Sequence, residues 1–154
     1  MPLCEYPIFD SILKYYIRQA EANNITVKTD INPLRKNLSF DIADMACLIG
    51  NLMENAIESC QYLPSPSIYI WIKLTEASLL IKIVNSCQTG LKEYPFFSNG
   101  SDFISAKKSP LHGQGLKSIR HAAEKYNGSA EFKRINDAFT ARIVLNIPPD
   151  KAQY

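Results

Sequence analysis

Gly50-Asn51-Leu52-Met53-Glu54-Asn55-Ala56-Ile57-Glu58 is the stretch on which the reading of this chain turns. It lies inside a longer run in which Ile42, Met45, Ile49, Leu52, Met53 and Ala56 recur at helical spacing as a broad apolar stripe. That spacing predicts a long helix capped by Ser39 or Asp41, running to about Cys60 and stopped by Pro64-Ser65-Pro66. Asn51 and Asn55 are four apart, so they share one face beside the stripe. Mid-helix, Asn is roughly several tenths of a kcal/mol worse than Ala, and two of them at the edge of a core call for partners. An amide oxygen is also a suitable neutral ligand for a hard cation that already carries phosphate oxygens. Taken alone, two Asn at this spacing are more often structural.

On the N-terminal side, Ile8, Ile12, Leu13, Tyr16 and Ile17 predict a helix from Asp10 to about Glu21, ended by Asn23-Asn24. Ile25-Thr26-Val27-Lys28-Thr29 alternates like a strand, and the polar segment from Asn32 to Ser39 reads as a connector. On the C-terminal side, Ser67 to Leu74 and Leu79 to Val84 read as two strands joined by a short turn around Glu76-Ala77-Ser78. An irregular stretch from Ser86 to His112, holding Gly90, Pro95, Gly100 and Pro110, is long enough to be a functional lid or a disordered segment. Gly113 to about Tyr126 reads as a helix ended by Asn127-Gly128. Ser129 to Arg134 and Phe139 to Ile147 then read as a closing hairpin before a Pro148-Pro149 tail.

This order predicts an α+β architecture: a two-layer α/β sandwich with three helices on one face of a mixed, mainly antiparallel five-stranded sheet. The strand-helix-strand rhythm of a doubly wound nucleotide fold is missing. The 154 residues are expected to form one domain, with a core of about 10–147, a lid of about 86–112 and a tail of 148–154.

Composition narrows the function classes. With 46% hydrophobic and 21% charged residues, disorder, collagen and coiled coil are excluded. A net charge of +2 is too mild to imply nucleic acid or a membrane surface. No window approaches the roughly 18 apolar residues of a membrane helix. Met1-Pro2-Leu3-Cys4-Glu5-Tyr6 has no basic region followed by an apolar run, so a soluble intracellular domain is expected. Cys4, Cys47, Cys60 and Cys87 are scattered without a CxxC pair, and only His112 and His121 are present to help them. A cysteine metal cage is therefore not expected; reduced thiols, mostly packed in a core, are.

Two further stretches carry candidate chemistry. In Leu80-Ile81-Lys82-Ile83-Val84-Asn85-Ser86, Asn85 stands where a buried strand ends, a place from which a polar group can reach a ligand beyond the sheet. Asn is equally common there as a turn starter. In His112-Gly113-Gln114-Gly115-Leu116-Lys117-Ser118, glycines permit close backbone approach and the start of a helix attracts anions. The pattern is neither a P-loop nor a dinucleotide fingerprint, because Leu116 separates Gly115 from Lys117 and no strand comes immediately before it.

In this order and combination, the three stretches resemble the GHKL (Bergerat-fold) ATPases, and within them the catalytic ATP-binding domain of sensor histidine kinases. Asn51 to Ile57 looks like the N-box of that family, and Val84-Asn85 falls where its first glycine box begins. Gly113-Gln114-Gly115-Leu116 looks like its second glycine box, with the ATP lid between. The resemblance runs from about Asp10 to Ile147. Asn55-Ala56-Ile57-Glu58, His112 to Ile119, and Lys125-Tyr126-Asn127-Gly128 are similar to the accessory-gene-regulator-like kinases that sense peptide pheromones in Gram-positive bacteria, as is Phe9 to Lys14.

The resemblance implies ATP and Mg²⁺ as cofactors. Asn55 would bind the Mg²⁺ that bridges the phosphates, with Asn51 one turn earlier beside them, and these two would be the catalytic pair. Gly113, Gly115 and Leu116 would line the phosphates through backbone N–H groups. Asn85 would accept a hydrogen bond from the adenine amino group. Lys107, Lys108 or His112 would touch the terminal phosphate, and for each a solvated lid charge is an equal alternative. The implied partners are a dimerisation domain bearing the phosphoacceptor histidine and a response regulator, with no nucleic acid and no membrane contact by this domain. The implied location is the cytoplasmic part of a membrane-bound bacterial receptor.

The sequence departs from the family in three ways. Asn85 stands where the first glycine box has Asp, and no glycine follows until Gly90. Glu58 stands where many kinases carry a basic residue. Neither His112 nor His121 lies in an acceptor helix ahead of the ATP domain, so the chain reads as an excised catalytic domain or a free-standing one acting on a partner. An anti-sigma-factor-type serine kinase and a non-catalytic nucleotide-binding or interaction module remain the alternatives.

Overall fold

The computed structural model describes residues 7–32, 38–89 and 110–149. Most of the expected lid, with Lys107 and Lys108, lies outside these residues, as do Cys4 and the end of the tail. The elements run α1 (Pro7–Ala22), β1 (Thr26–Ile31), α2 (Ile42–Ser59), β2 (Ser67–Leu74), β3 (Ser78–Ser86), α3 (Pro110–Lys125), β4 (Ser129–Ile135) and β5 (Ala138–Asn146).

The strands form one sheet in the order β1-β2-β3-β5-β4. β1 pairs with β2 in parallel and every other pairing is antiparallel, so the sheet is mixed, as expected. Parallel neighbours need a long crossover, and α2 supplies it between β1 and β2. Alternation along the strands sends Ile68, Ile70, Ile72, Leu79, Ile81, Ile83, Phe132, Phe139, Ile143 and Leu145 to one face, all of them buried. The three described helices cover that face: α2 lies across β3 between α1 and α3, α1 packs over β1, and α3 packs over β4 and β5. Phe9 and Leu13 of α1, Met45, Leu48, Ile49, Leu52, Met53 and Ala56 of α2, and Leu116, Ile119 and Ala123 of α3 complete the core. The two-layer sandwich is thus the observed architecture.

Boundaries differ from the sequence reading where tertiary pairing extends an element. β1 continues to Ile31 because its parallel register with β2 runs on to Ile31 opposite Ile72. β3 continues to Ser86 because β5 still pairs with it there, Ser86 opposite Ala138. α3 starts at Pro110 rather than Gly113, so Pro110-Leu111-His112 belong to the helix and not to the lid. Proline suits the first helical position, where its fixed φ is already helical and its missing N–H is not needed.

Two glycines matter for packing. A Cβ on Gly50 would sit 2.8 Å from the Tyr16 hydroxyl, so Gly50 lets α1 lie close over α2, where Tyr16 donates to Glu54 Oε1 at 3.2 Å. In the turn after α3 the left-handed residue is Asn127 (φ 53), not Gly128. Gly128 is required for a different reason: a Cβ there would lie 1.7 Å from the Val144 carbonyl oxygen of β5.

α2 is tied down at both ends. Asp41 is its N-cap and accepts from the Asp44 N–H at 3.0 Å, while the Asp41 N–H donates to the Tyr126 hydroxyl at 3.1 Å. Tyr126 in turn donates to Asp44 Oδ2, which Lys125 Nζ also reaches at 2.7 Å. Phe40 packs edge-on against the Tyr126 ring at 5.2 Å. The start of α2 and the end of α3 are therefore one hydrogen-bonded unit. At the other end the single Cys60 S–H lies within reach of two carbonyl acceptors, Ser86 (3.5 Å) and Ser67 (3.7 Å), seating the helix terminus on β3 and β2.

Two outcomes follow. Gly128→Ala should cost about 3 kcal/mol or more in denaturant unfolding, because the clash is with backbone that cannot move without breaking β5. The second concerns Asp44. The Lys125 ammonium and the Tyr126 hydroxyl hold its carboxyl below the usual carboxylate range. A depressed folded pKa contributes stability that is present above the unfolded value of about 3.9 and is lost as pH falls through the folded one. Asp44→Asn should therefore cost about 1–2 kcal/mol near neutral pH. The gap from the native chain should close on acidification, as read by melts across a pH series.

Candidate functional site

The site is built on the inner end of β3 and the C-terminal half of α2. The buried phase Leu79, Ile81 and Ile83 continues in register to Asn85, which is 3% exposed and pairs with Phe139 on one side and Ile68 on the other. Asn85 Nδ2 donates to the Ser86 carbonyl at 2.9 Å. Its Oδ1 takes no hydrogen bond from any described residue.

The Cys60 contacts bring the end of α2 to this same end of the sheet. At 1.5 Å per residue, Asn55 lies about 7.5 Å back along the helix from Cys60, and Asn51 about 6 Å further. Both side chains are half-buried beside the apolar stripe. Asn51 makes no side-chain hydrogen bond with a described residue, despite its helix-weakening position. Asn51 and Asn55 thus lie on the helix, and Asn85 on the strand, whose ends the Cys60–Ser86 contact joins.

α3 contributes its N-terminus. A helix that begins at Pro110 has the N–H groups of Leu111 and His112 without intrahelical acceptors, whereas those of Gly115 and Leu116 point back to carbonyls one turn earlier. Leu116 is buried and holds the helix on the core. A Cβ on Gly115 would meet no described atom within 4 Å, so packing among the described residues does not require glycine there. Lys107 and Lys108 lie outside the described residues, and of His112 only the helical backbone is described.

Two features escaped the sequence reading. Arg134 is 1% exposed and closes the row Ile68, Asn85, Phe139, Arg134 across the inner face of four strands. The available signal was its phase, because it follows Ala130 and Phe132 by twos on a strand whose even positions are buried. Cys60 was read only as core. It caps α2, and burial pushes its thiol up to about 11, which keeps it a protonated donor to the Ser86 carbonyl at neutral pH.

Electrostatically the site is neutral amide and backbone, not a carboxylate cage. Among the described residues no three His, Cys, Asp or Glu side chains gather where they could hold a metal ion, and no helix is long and apolar enough to cross a membrane. A cation bound here would have to bring oxygen ligands with it.

Comparison with known proteins agrees with this geometry. Residues 40–146 match the GHKL domain family. No curated protein sequence matches significantly. Among solved structures, the nucleotide-free catalytic domain of histidine kinase ThkA superposes with a TM-score of 0.70 at 15% identity, covering 97% of this chain and 96% of that one. A mycobacterial sensor histidine kinase, MprB, gives 0.66 at 17% identity, covering 93% and 95%. The Acinetobacter baumannii histidine kinase AdeS gives 0.66 at 12% identity, covering 93% of this chain and 64% of its own. At such identities the likeness shows a common fold. The family match spans more than half the chain, including both α2 asparagines, Asn85 and the start of α3, and the chain belongs to the GHKL domain family.

Proposed function

We propose that this chain is the Mg·ATP-binding catalytic domain of a two-component sensor histidine kinase, which passes the ATP γ-phosphate to a histidine on a separate dimerisation domain. The observation that carries the reading is Asn85. It is a buried amide near the end of β3, at the end of the sheet where Cys60 seats the C-terminus of α2, and no described residue donates to its acceptor oxygen. An adenine amino group donating to Asn85 Oδ1 would satisfy that oxygen. The phosphates would then extend toward Asn51, Asn55 and the backbone N–H groups at the start of α3, where the helix dipole favours anions.

The donor set fits Mg²⁺ that arrives with nucleotide. Mg²⁺ keeps water and phosphate oxygens in most of its coordination sphere and needs few protein ligands, and a single neutral amide oxygen from Asn55 suits it. When bound it neutralises charge on the phosphates. The chain's own part is positioning: Asn85 selects the base, the first turn of α3 with the N–H groups of Leu111 and His112 faces the phosphates in place of the expected Gly115 and Leu116, whose N–H groups are used within the helix, and Lys107, Lys108 or His112 serves the terminal phosphate. Phosphoryl transfer asks for little more than this alignment with charge neutralisation.

The acceptor would be a histidine of the same receptor and then an aspartate on a response regulator, with this domain on the cytoplasmic side. The motif wording of α2 and α3 favours a peptide-pheromone-sensing kinase of the accessory-gene-regulator-like type. The Asn-for-Asp change favours a second reading, a nucleotide-binding module without catalysis, because an amide lacks the charge-assisted strength of a carboxylate.

Thermal melts with and without Mg·ADP check the site. Nucleotide at about 100 times its Kd should add roughly 2.7 kcal/mol, a rise of several degrees, that requires Mg²⁺ and disappears in Asn55→Ala. No rise at millimolar nucleotide in a folded chain would reject the reading. ³²P transfer from ATP to a matched histidine domain separates the alternatives: labelling of a serine peptide instead favours an anti-sigma-factor-type kinase, and binding without transfer favours the non-catalytic module. Asn85 should also leave ATP only weakly preferred over GTP, which competition binding measures directly.

A further inference from the structure

The face of the sheet away from the helices carries its own charge problem. Register places Asp30, Trp71, Lys82, Arg142 and Glu131 in one row across the five strands, all on this outer face. Lys82 and Arg142 are direct cross-strand neighbours at the centre of the row. Like charges opposite one another on antiparallel strands repel and weaken the sheet. The flanking acids sit on the two edge strands, and the nearer one, Glu131, approaches Arg142 Nε only at 3.9 Å. Lys82 has no carboxylate partner among the described residues.

The rows on either side add Lys28 and Lys133 in one and Lys73 in the other. The outer face therefore carries five cations against two carboxylates, although the whole chain is only +2. Between the cations the floor is apolar. Tyr69, Trp71, Leu80 and Val144 line a shallow hollow with Lys82 and Arg142 at its side, and none of the three described helices packs on it. A half-buried tryptophan beside a lysine that faces an arginine across the ladder, with no carboxylate partner of its own among the described residues, is the kind of local conflict that a sheet keeps when something else resolves it.

We infer that this outer face docks an acidic, partly apolar polypeptide segment of a partner protein, one of whose carboxylates bridges Lys82 and Arg142 while its apolar side chains cover Trp71 and Leu80. Charge complementarity selects the acid, and the apolar floor selects a polypeptide over a bare polyanion, which would satisfy the lysines and leave Trp71, Leu80 and Val144 wet. The surface lies on the opposite side of the sheet from the nucleotide site, so the inference stands apart from the kinase reading.

Trp71 is the chain's one tryptophan, so its fluorescence reports on this surface alone. The full chain is titrated with a short synthetic peptide of glutamate and leucine, with its glutamine counterpart, with oligodeoxythymidylate and with anionic phospholipid vesicles. The expected result is a saturable blue shift of Trp71 emission with the acidic peptide, weakened by added salt and absent with the glutamine peptide. Binding should weaken by at least about ten-fold in Lys82→Gln and Lys82→Glu. The second variant should also melt higher than the native chain, because it places a carboxylate opposite Arg142. An unchanged Trp71 emission with the acidic peptide overturns the inference. So does undiminished binding by Lys82→Glu, or a response to oligodeoxythymidylate or vesicles without one to the peptide.

Discussion

The structure depends on how α2 is seated. Its apolar stripe, Met45, Leu48, Ile49, Leu52, Met53 and Ala56, is almost wholly buried over the sheet. Each end of this helix is tied to a different part of the chain. The N-terminal end is held by Asp41 and Asp44 against Tyr126 and Lys125 of the segment that closes α3. The C-terminal end is held by a thiol on the carbonyls of β2 and β3. Burial supplies most of the energy, and the polar ends supply the register that directs Asn51 and Asn55 to the edge of the core.

The local chemistry at the end of β3 explains why an amide suits position 85. A carboxylate buried at the position of Asn85 would face the Ser86 carbonyl that Nδ2 now donates to, exchanging a hydrogen bond for repulsion between oxygens. Asparagine keeps the strand end satisfied and still offers one acceptor. The cost is a weaker contact to any amino group that docks there. The local sheet chemistry and the departure from the usual family residue are consistent with each other.

The two faces of the sheet have opposite problems. The inner face buries polar residues, Asn85 and Arg134, in a single row among apolar side chains. The outer face places cations side by side over an aromatic floor. Period-two alternation assigned each residue to its face, but only the strand order made Lys82 and Arg142 neighbours, since β3 and β5 are far apart in sequence.

Much of the architecture was legible in the residues because the signals are local. The 3.6 spacing of α2, the alternation of β2 and β3, Pro64 and Pro66 as stops, and Asn127 at a left-handed turn are each short-range consequences of backbone sterics and burial. The pair Asn51 and Asn55 on one helix face, and Asn85 at a strand end, were legible for the same reason. What the sequence could not show is decided by pairing between distant segments. The register that carries β1 to Ile31 and β3 to Ser86, the carbonyl of Val144 that forbids a side chain at 128, and the clamp of Tyr126 on Asp44 all join residues far apart along the chain. Local propensity specifies which element each residue belongs to, and only the packed sheet and helices decide which of those residues meet.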